Sequence, residues 1–179
     1  MSASIIESVA SPWVDRFMRL IPAGSEVLDF ACGTGRHARL LATAGFRVEA
    51  VDRNPRALAG LRSVNRVTTR EADLEGGPWS YGEHRFAAVI VTNYLFRPRL
   101  EQLLATVDDP GVLIYETFMV GNERFGRPTN PDFLLASQEM LSWMRRPGWR
   151  VRAYEEGEVE FPRPASVQRL CAVRGDSCR

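Results

Sequence analysis

The chain has 179 residues, long enough for one domain that buries about 70% of the surface its unfolded form exposes, so it needs no disulfide or metal staple. Hydrophobic residues make up 45% and charged residues 25%, an ordinary globular composition, and the net charge of +1 excludes a strongly basic nucleic-acid binder. All 23 basic residues are Arg, which excludes a Lys Schiff base, a P-loop lysine and a Tyr/Lys dehydrogenase pair.

Ser11-Pro12 opens a first helix, with Ser as cap and Pro in the first turn. Trp13, Phe17, Met18, Leu20 and Ile21 give it an apolar side, and Pro22-Ala-Gly24 ends it. Residues 26–30 read as strand 1. A helix over about 34–44 follows, with Leu40, Leu41 and Ala44 inward and Gly45 as its stop. Residues 46–51 are strand 2, ending in Asp52, and Asn54-Pro55 starts the next helix. Residues 66–70 form a weaker strand 3, followed by Asp73-Leu74. Residues 75–85 hold three Gly and one Pro and read as a loop where a crossover helix would otherwise run. Residues 86–91 are strand 4, apolar on both faces as a central parallel strand requires. A helix over 99–107, a turn over 108–111 and strand 5 over 112–116 come next. The connection over 117–135 is rich in Gly, Asn, Arg and Pro, and loops of that length are usually functional. A short helix over 137–145 precedes 149–154 and 167–173, an antiparallel pair at one edge. The alternation predicts a single-domain α/β fold with a mostly parallel sheet.

Two histidines, His37 and His84, and three cysteines, Cys32, Cys171 and Cys178, leave no Cys-x-x-Cys, so no metal is expected. Scattered cysteines suit a reducing compartment and a cytoplasmic location. The longest apolar run, Phe86 to Val91, is far short of a membrane span. The first residues lack the basic-then-apolar pattern of a secretory leader.

Chemistry concentrates in Val27-Leu-Asp-Phe-Ala-Cys-Gly-Thr-Gly-Arg-His-Ala38, a strand, a Gly-rich turn and a helix N-terminus. Gly33 and Gly35 let the backbone turn tightly and approach a ligand, and the helix N-terminus offers free N–H groups. Asp52, 17 residues beyond Gly35, can accept from ribose hydroxyls or cap the following helix. Asp29, beside the turn, can bind an ammonium or hold the turn backbone; a diphosphate there would be repelled. Asp73, with the Leu74 backbone, can accept from an adenine amino group or be a surface acid. His37 reads as a packing or capping residue, Cys32 as a small packing residue, and Trp79 as a shield for adenine or a cover for the core.

These residues resemble the class I S-adenosylmethionine (SAM)-dependent methyltransferases over nearly the whole chain. Asp29-Phe-Ala-Cys-Gly-Thr-Gly35 is similar to their glycine motif, with Ala31 replacing its first Gly. The Gly33-Thr-Gly-Arg-His37 form is similar to the small tellurite-resistance and thiopurine methyltransferase group. The resemblance implies a Rossmann-like seven-stranded sheet of order 3-2-1-4-5-7-6 with helices on both faces. It implies an N-terminal helix over 1–24, a SAM-binding half over 25–118, and a substrate loop, last helix and edge strands over 119–179. It assigns SAM to Asp29, Ala31, Gly33, Gly35, Asp52, Asp73 and Leu74.

Asn93 and Tyr94 leave strand 4 where the family presents residues to the transferred methyl, and Glu116 ends strand 5 as the carboxylate able to take a proton. These three are the expected catalytic group. Arg97, Asn122, Arg124 and Arg127 are the expected substrate contacts, suited to an anionic group. The expected acceptor is a small, anionic or soft nucleophile. The alternatives are an RNA or protein acceptor met with the help of a partner, and a SAM-binding sensor without transferase activity.

Overall fold

The computed structural model describes residues 9–175; the stretch read for a leader and Cys178 lie outside it. Seven strands form one sheet: β1 (Glu26–Phe30), β2 (Arg47–Asp52), β3 (Val67–Glu71), β4 (Phe86–Thr92), β5 (Val107–Phe118), β6 (Trp149–Val159) and β7 (Ala165–Arg174). Their order is β3-β2-β1-β4-β5-β7-β6. The pairs from β3 to β5 are parallel, and β7 runs antiparallel between β5 and β6. The expected α/β class and strand order are both present.

Side chains alternate across the strands, so each central strand feeds two cores. Val27, Ala88 and Val112 share one register row and face the layer holding α1 (Pro12–Phe17), α2 (Arg36–Thr43) and α3 (Pro55–Ala59). Leu28, Val89 and Leu113 form the next row and face α4 (Leu100–Ala105) and α5 (Glu139–Trp143). Full burial of the Val and Leu side chains in these rows contributes about 1.5–3 kcal/mol each.

Element ends depart from the sequence expectation where backbone conformation, not hydropathy, decides. Helix α2 begins at Arg36 because Gly35 is left-handed, with φ +77°. Pro98 sits in a 3₁₀ turn, so α4 begins only at Leu100. Residues 108–111 do not end the preceding helix as a separate turn. They are an excursion inside β5, exposed at 108–110 and rejoining the sheet at the buried Gly111, with five residues on β5 spanning the interval of two on β4. Strands β6 and β7 run longer than expected. The acidic stretch of β6 hides its pairing from a hydropathy reading, whereas β7 supplies partners as far as Val159↔Ala165.

No crossover helix fills residues 75–85. Trp79 and Tyr81 meet edge-on at 5.7 Å, and Tyr81 meets Phe86 at 5.4 Å, so aromatic rings cover that part of the core. Among the described residues no helix is long and apolar enough to cross a membrane.

Candidate active site

The glycine turn leaves β1 at its carboxyl end with three residues left-handed: Ala31 (φ +55°), Gly33 (φ +55°) and Gly35 (φ +77°). Gly35 has no side chain to cap α2, and an added Cβ would lie 2.3 Å from Leu61 Cδ1. A neighbouring strand supplies the cap instead. Asp29 Oδ2 accepts from the N–H of Ala38 at 2.8 Å. Asp29 is buried, and desolvation raises its carboxyl to about 7, against the pull of the Ala38 N–H and Arg36. The turn-holding role weighed from the sequence is therefore visible in the geometry.

Asp52 pins the turn from β2. Its Oδ2 accepts from Gly33 N–H at 2.8 Å and its Oδ1 from Asn54 N–H at 2.9 Å. Each oxygen keeps a second lone pair. Asn54 itself caps α3, so Asp52 is not that helix's cap. Asp73 accepts from the N–H groups of Glu75 and Gly76, which hold its carboxyl below the usual range, and Leu74 beside it is buried.

Asn93 and Tyr94 part company. Asn93 (φ +55°) faces the α2 side of the sheet and its N–H donates to Glu116 O at 2.9 Å. Tyr94 turns to the other side, edge-on to Phe30 at 5.4 Å, where Phe30 also meets Trp79 at 6.0 Å. Burial pushes the Tyr94 phenol up, as do the Glu75 and Asp73 carboxylates, while Arg99 and Arg53 oppose them. Among the described residues its buried hydroxyl has no hydrogen-bond partner, and neither has Arg99 Nη1. Tyr94 is thus set beside Asp73, away from Asn93 and Glu116. An orphaned hydroxyl, aromatic rings and two carboxylates with spare acceptor capacity fit the adenosine part of SAM.

On the α2 side a cavity of about 360 Å³ opens between the glycine turn, the ends of β4 and β5, and the β6–β7 hairpin. A buried polar chain forms its inner wall. Glu116 Oε2 accepts from Arg169 Nε at 2.6 Å and from Ser11 Oγ at 3.1 Å. The Ser11 N–H donates to His37 Nε2 at 3.0 Å. That leaves the proton on Nδ1, 3.3 Å from Thr92 Oγ1. Burial and Arg36 lower the His37 pKa to about 3, so the ring is neutral. Glu116 Oε1 takes no hydrogen bond from the described residues, and Glu116 lines the cavity. Cys32 also lines it, but burial and the Asp29 and Asp52 carboxylates push its thiol up, away from nucleophilic use.

The four expected substrate contacts lie outside the cavity lining. Arg97 donates to both oxygens of Glu139 at 2.7 and 2.9 Å, and to the carbonyls of Asp132 and Leu134. Asn122 is buried and bridges Pro128 O and Ser166 N. Arg124 donates to Glu158 at 2.6 Å, and Arg127 is exposed. Arg97, Asn122 and Arg124 hold the loop after β5 in shape. Sequence reading missed the residues that replace them at the cavity: Ser11, Thr92, Arg169 and the hairpin residues Val159, Phe161 and Arg163. Their signal was faint, Phe161-Pro-Arg-Pro164 after a stretch that holds Glu155, Glu156, Glu158 and Glu160.

Residues 27–109 match the family model of a methyltransferase domain. No curated protein matches the chain. Among solved structures, TehB from Haemophilus influenzae is similar over 94% of this chain at 18% identity and a TM-score of 0.73; this chain spans 63% of that one. An S-adenosylmethionine-dependent methyltransferase from Mesorhizobium loti is similar over 89% of this chain and 96% of its own, at 16% identity and a TM-score of 0.69. The glycopeptide N-methyltransferase MtfA complexed with S-adenosylhomocysteine is similar over 90% and 88%, at 18% identity and a TM-score of 0.64.

Proposed function

We propose that this chain, a SAM-dependent methyltransferase of the class I fold, transfers methyl to a small nucleophilic molecule held in the cavity beside Glu116. When bound, SAM supplies an electrophilic methyl group on a sulfonium. The observation that carries the acceptor reading is the cavity itself. At about 360 Å³ it lies near the lower end of ligand pockets, and its walls belong to the glycine turn and to Glu116 and Asn93 at once.

Each residue then has a role its geometry suits. Asp29, Ala31, Gly33 and Gly35 shape the turn, Asp52 takes the ribose hydroxyls, and Asp73, Leu74 and Tyr94 meet the adenine side. The Asn93 amide orients the acceptor. Glu116 is fixed by Arg169 and Ser11 through Oε2, which leaves Oε1 to accept the proton the acceptor loses. The β6–β7 hairpin excludes water. Alignment in a dry site can supply up to about 7–11 kcal/mol of barrier lowering.

Thermal unfolding with SAM, S-adenosylhomocysteine and NAD tests the cofactor. The first two are expected to stabilise, by about 2.7 kcal/mol at a hundredfold excess over Kd. Stabilisation by NAD alone overturns the assignment. Label from methyl-labelled SAM is expected in a filtered metabolite extract. Label in RNA or protein, or in nothing, refutes the small acceptor.

A further inference from the structure

The cavity face changes character along one direction. On β7 the residues toward it are Arg169, Val167 and Ala165, and the register sets neighbours beside each. Arg169 lies between Glu116 and Glu155, Val167 between Phe118 and Gly157, and Ala165 beside Val159. An ion pair is thus followed by an apolar row, then by the hairpin turn. Gly157 keeps the β6 side of that row open, since a Cβ added there meets nothing within 4 Å.

Arg163 folds back from the turn over this row. Its guanidinium carbon lies 5.8 Å from the centre of the Phe118 ring. Arg97, Arg124 and Arg169 each face a glutamate. Arg163 is exposed, lines the cavity and has no carboxylate partner among the described residues. A guanidinium above an aromatic ring recognises a carboxylate by paired hydrogen bonds, and the apolar row beside it takes a ring or short chain. Glu116 already pairs with Arg169, and the third arginine of the lining, Arg36, stands at the glycine turn, so at the hairpin end an acid group meets one guanidinium, that of Arg163.

We propose that the acceptor is a compact aromatic or apolar carboxylate, its body on Phe118 and Val167, its acid group on Arg163, and its nucleophile toward Glu116 and Asn93. The Phe118 and Glu116 rows are two residues apart, about 7 Å at the rise of an antiparallel strand, a span that one ring fills. The proposal rests on the methyltransferase reading for the direction of the nucleophile, but the carboxylate subsite does not need it.

The probe is phenylacetate, with phenylacetamide as its neutral counterpart, titrated into the protein with and without S-adenosylhomocysteine and followed by calorimetry and ligand-observed NMR. Phenylacetate is expected to bind alongside S-adenosylhomocysteine, at least tenfold more tightly than the amide. Arg163→Gln is expected to weaken phenylacetate binding tenfold or more, and Arg163→Lys less. Neither should change S-adenosylhomocysteine affinity or the unfolding midpoint. Equal binding of acid and amide, indifference to Arg163→Gln, displacement by S-adenosylhomocysteine, or no phenylacetate binding at millimolar concentration each overturns the subsite. Failure of S-adenosylhomocysteine itself to bind refutes the methyltransferase reading instead, and the phenylacetate result on the unliganded protein still decides the subsite.

Discussion

The Ser11 N–H donates to Nε2 of His37 at 3.0 Å, and this contact ties the N-terminal helix to the helix that follows the glycine turn. Ser11 also donates through Oγ to Glu116. One residue therefore links a neutral imidazole to the carboxylate at the cavity wall. Because Nε2 must accept, the ring can serve only in its neutral form, and protonating it would break the link.

Two buried groups in this region oppose each other in pH. His37 has a folded pKa of about 3 against an ordinary 6.5. Below 6.5 the unfolded chain binds the extra proton, so this contribution to stability falls as pH drops toward 3. Asp29 has a folded pKa of about 7 against 3.8. Its contribution is complete below 3.8 and is lost as pH rises toward 7. Each slope is about 1.4 kcal/mol per pH unit, with opposite sign. His37→Gln should therefore make stability fall with rising pH relative to the native protein, and Asp29→Asn should make it rise. Urea unfolding of the three proteins between pH ~4.5 and ~6.5 reads the sign directly. Parallel profiles would show that neither group titrates as its burial requires.

The two glycines of the turn do different work. At Gly35 an alanine Cβ would overlap Leu61 and sit at φ +77°. Left-handed backbone costs about 1–2 kcal/mol and overpacking about 1–3, so Gly35→Ala should lose about 2–5 kcal/mol. At Gly33 (φ +55°) an added Cβ meets nothing within 4 Å, and only the backbone cost of about 1–2 kcal/mol applies. Gly33 lines the cavity, so Gly33→Ala should act chiefly on S-adenosylhomocysteine affinity. Denaturant midpoints set beside ligand titrations separate the two; the reverse ranking would place Gly35, not Gly33, against the ligand.

The strand order and the glycine turn were legible because they depend on local signals. Val27 to Gly35 carries its own hydropathy and its own conformational demand, and Phe86 to Val91 reads as a central strand from six residues. The cavity wall was not legible because it depends on register. Nothing local tells that Arg169 will stand opposite Glu116, or that Ser11 will reach His37 across 26 residues. Arg97 and Arg124 stand in sequence as unpaired cations at the ends of β4 and β5, yet each meets a glutamate far along the chain. Tyr94 follows Asn93 in sequence, and adjacency alone suggests a shared role in catalysis. Adjacent residues at a strand end face opposite sides, and that geometry separated them.

Arg97 offers a direct check on this division. Its guanidinium holds Glu139 and two carbonyls of the loop. With the side chain partly exposed, solvent screening brings the expected loss for Arg97→Gln down to about 1 kcal/mol. S-adenosylhomocysteine binding should be unaltered, and so should KM for an acceptor once one is found. A higher KM at unchanged stability would return Arg97 to the substrate.

Tyr94→Phe and Glu116→Gln should fail in different ways. The Tyr94 hydroxyl is buried without a partner among the described residues, and an unsatisfied buried hydroxyl costs about 1–3 kcal/mol. Removing it should raise the unfolding midpoint of the free protein while shrinking the stabilisation gained from S-adenosylhomocysteine, because the ligand's adenosine end would lose a donor. Glu116→Gln should leave S-adenosylhomocysteine affinity intact. An amide keeps an oxygen for Ser11 and Arg169 but cannot take up the acceptor's proton, so kcat should fall with KM little changed. The effect should be largest for acceptors of high pKa and vanish for those already ionised, where no proton has to leave. A uniform loss across both kinds of acceptor would assign Glu116 to holding the wall in place, not to accepting a proton.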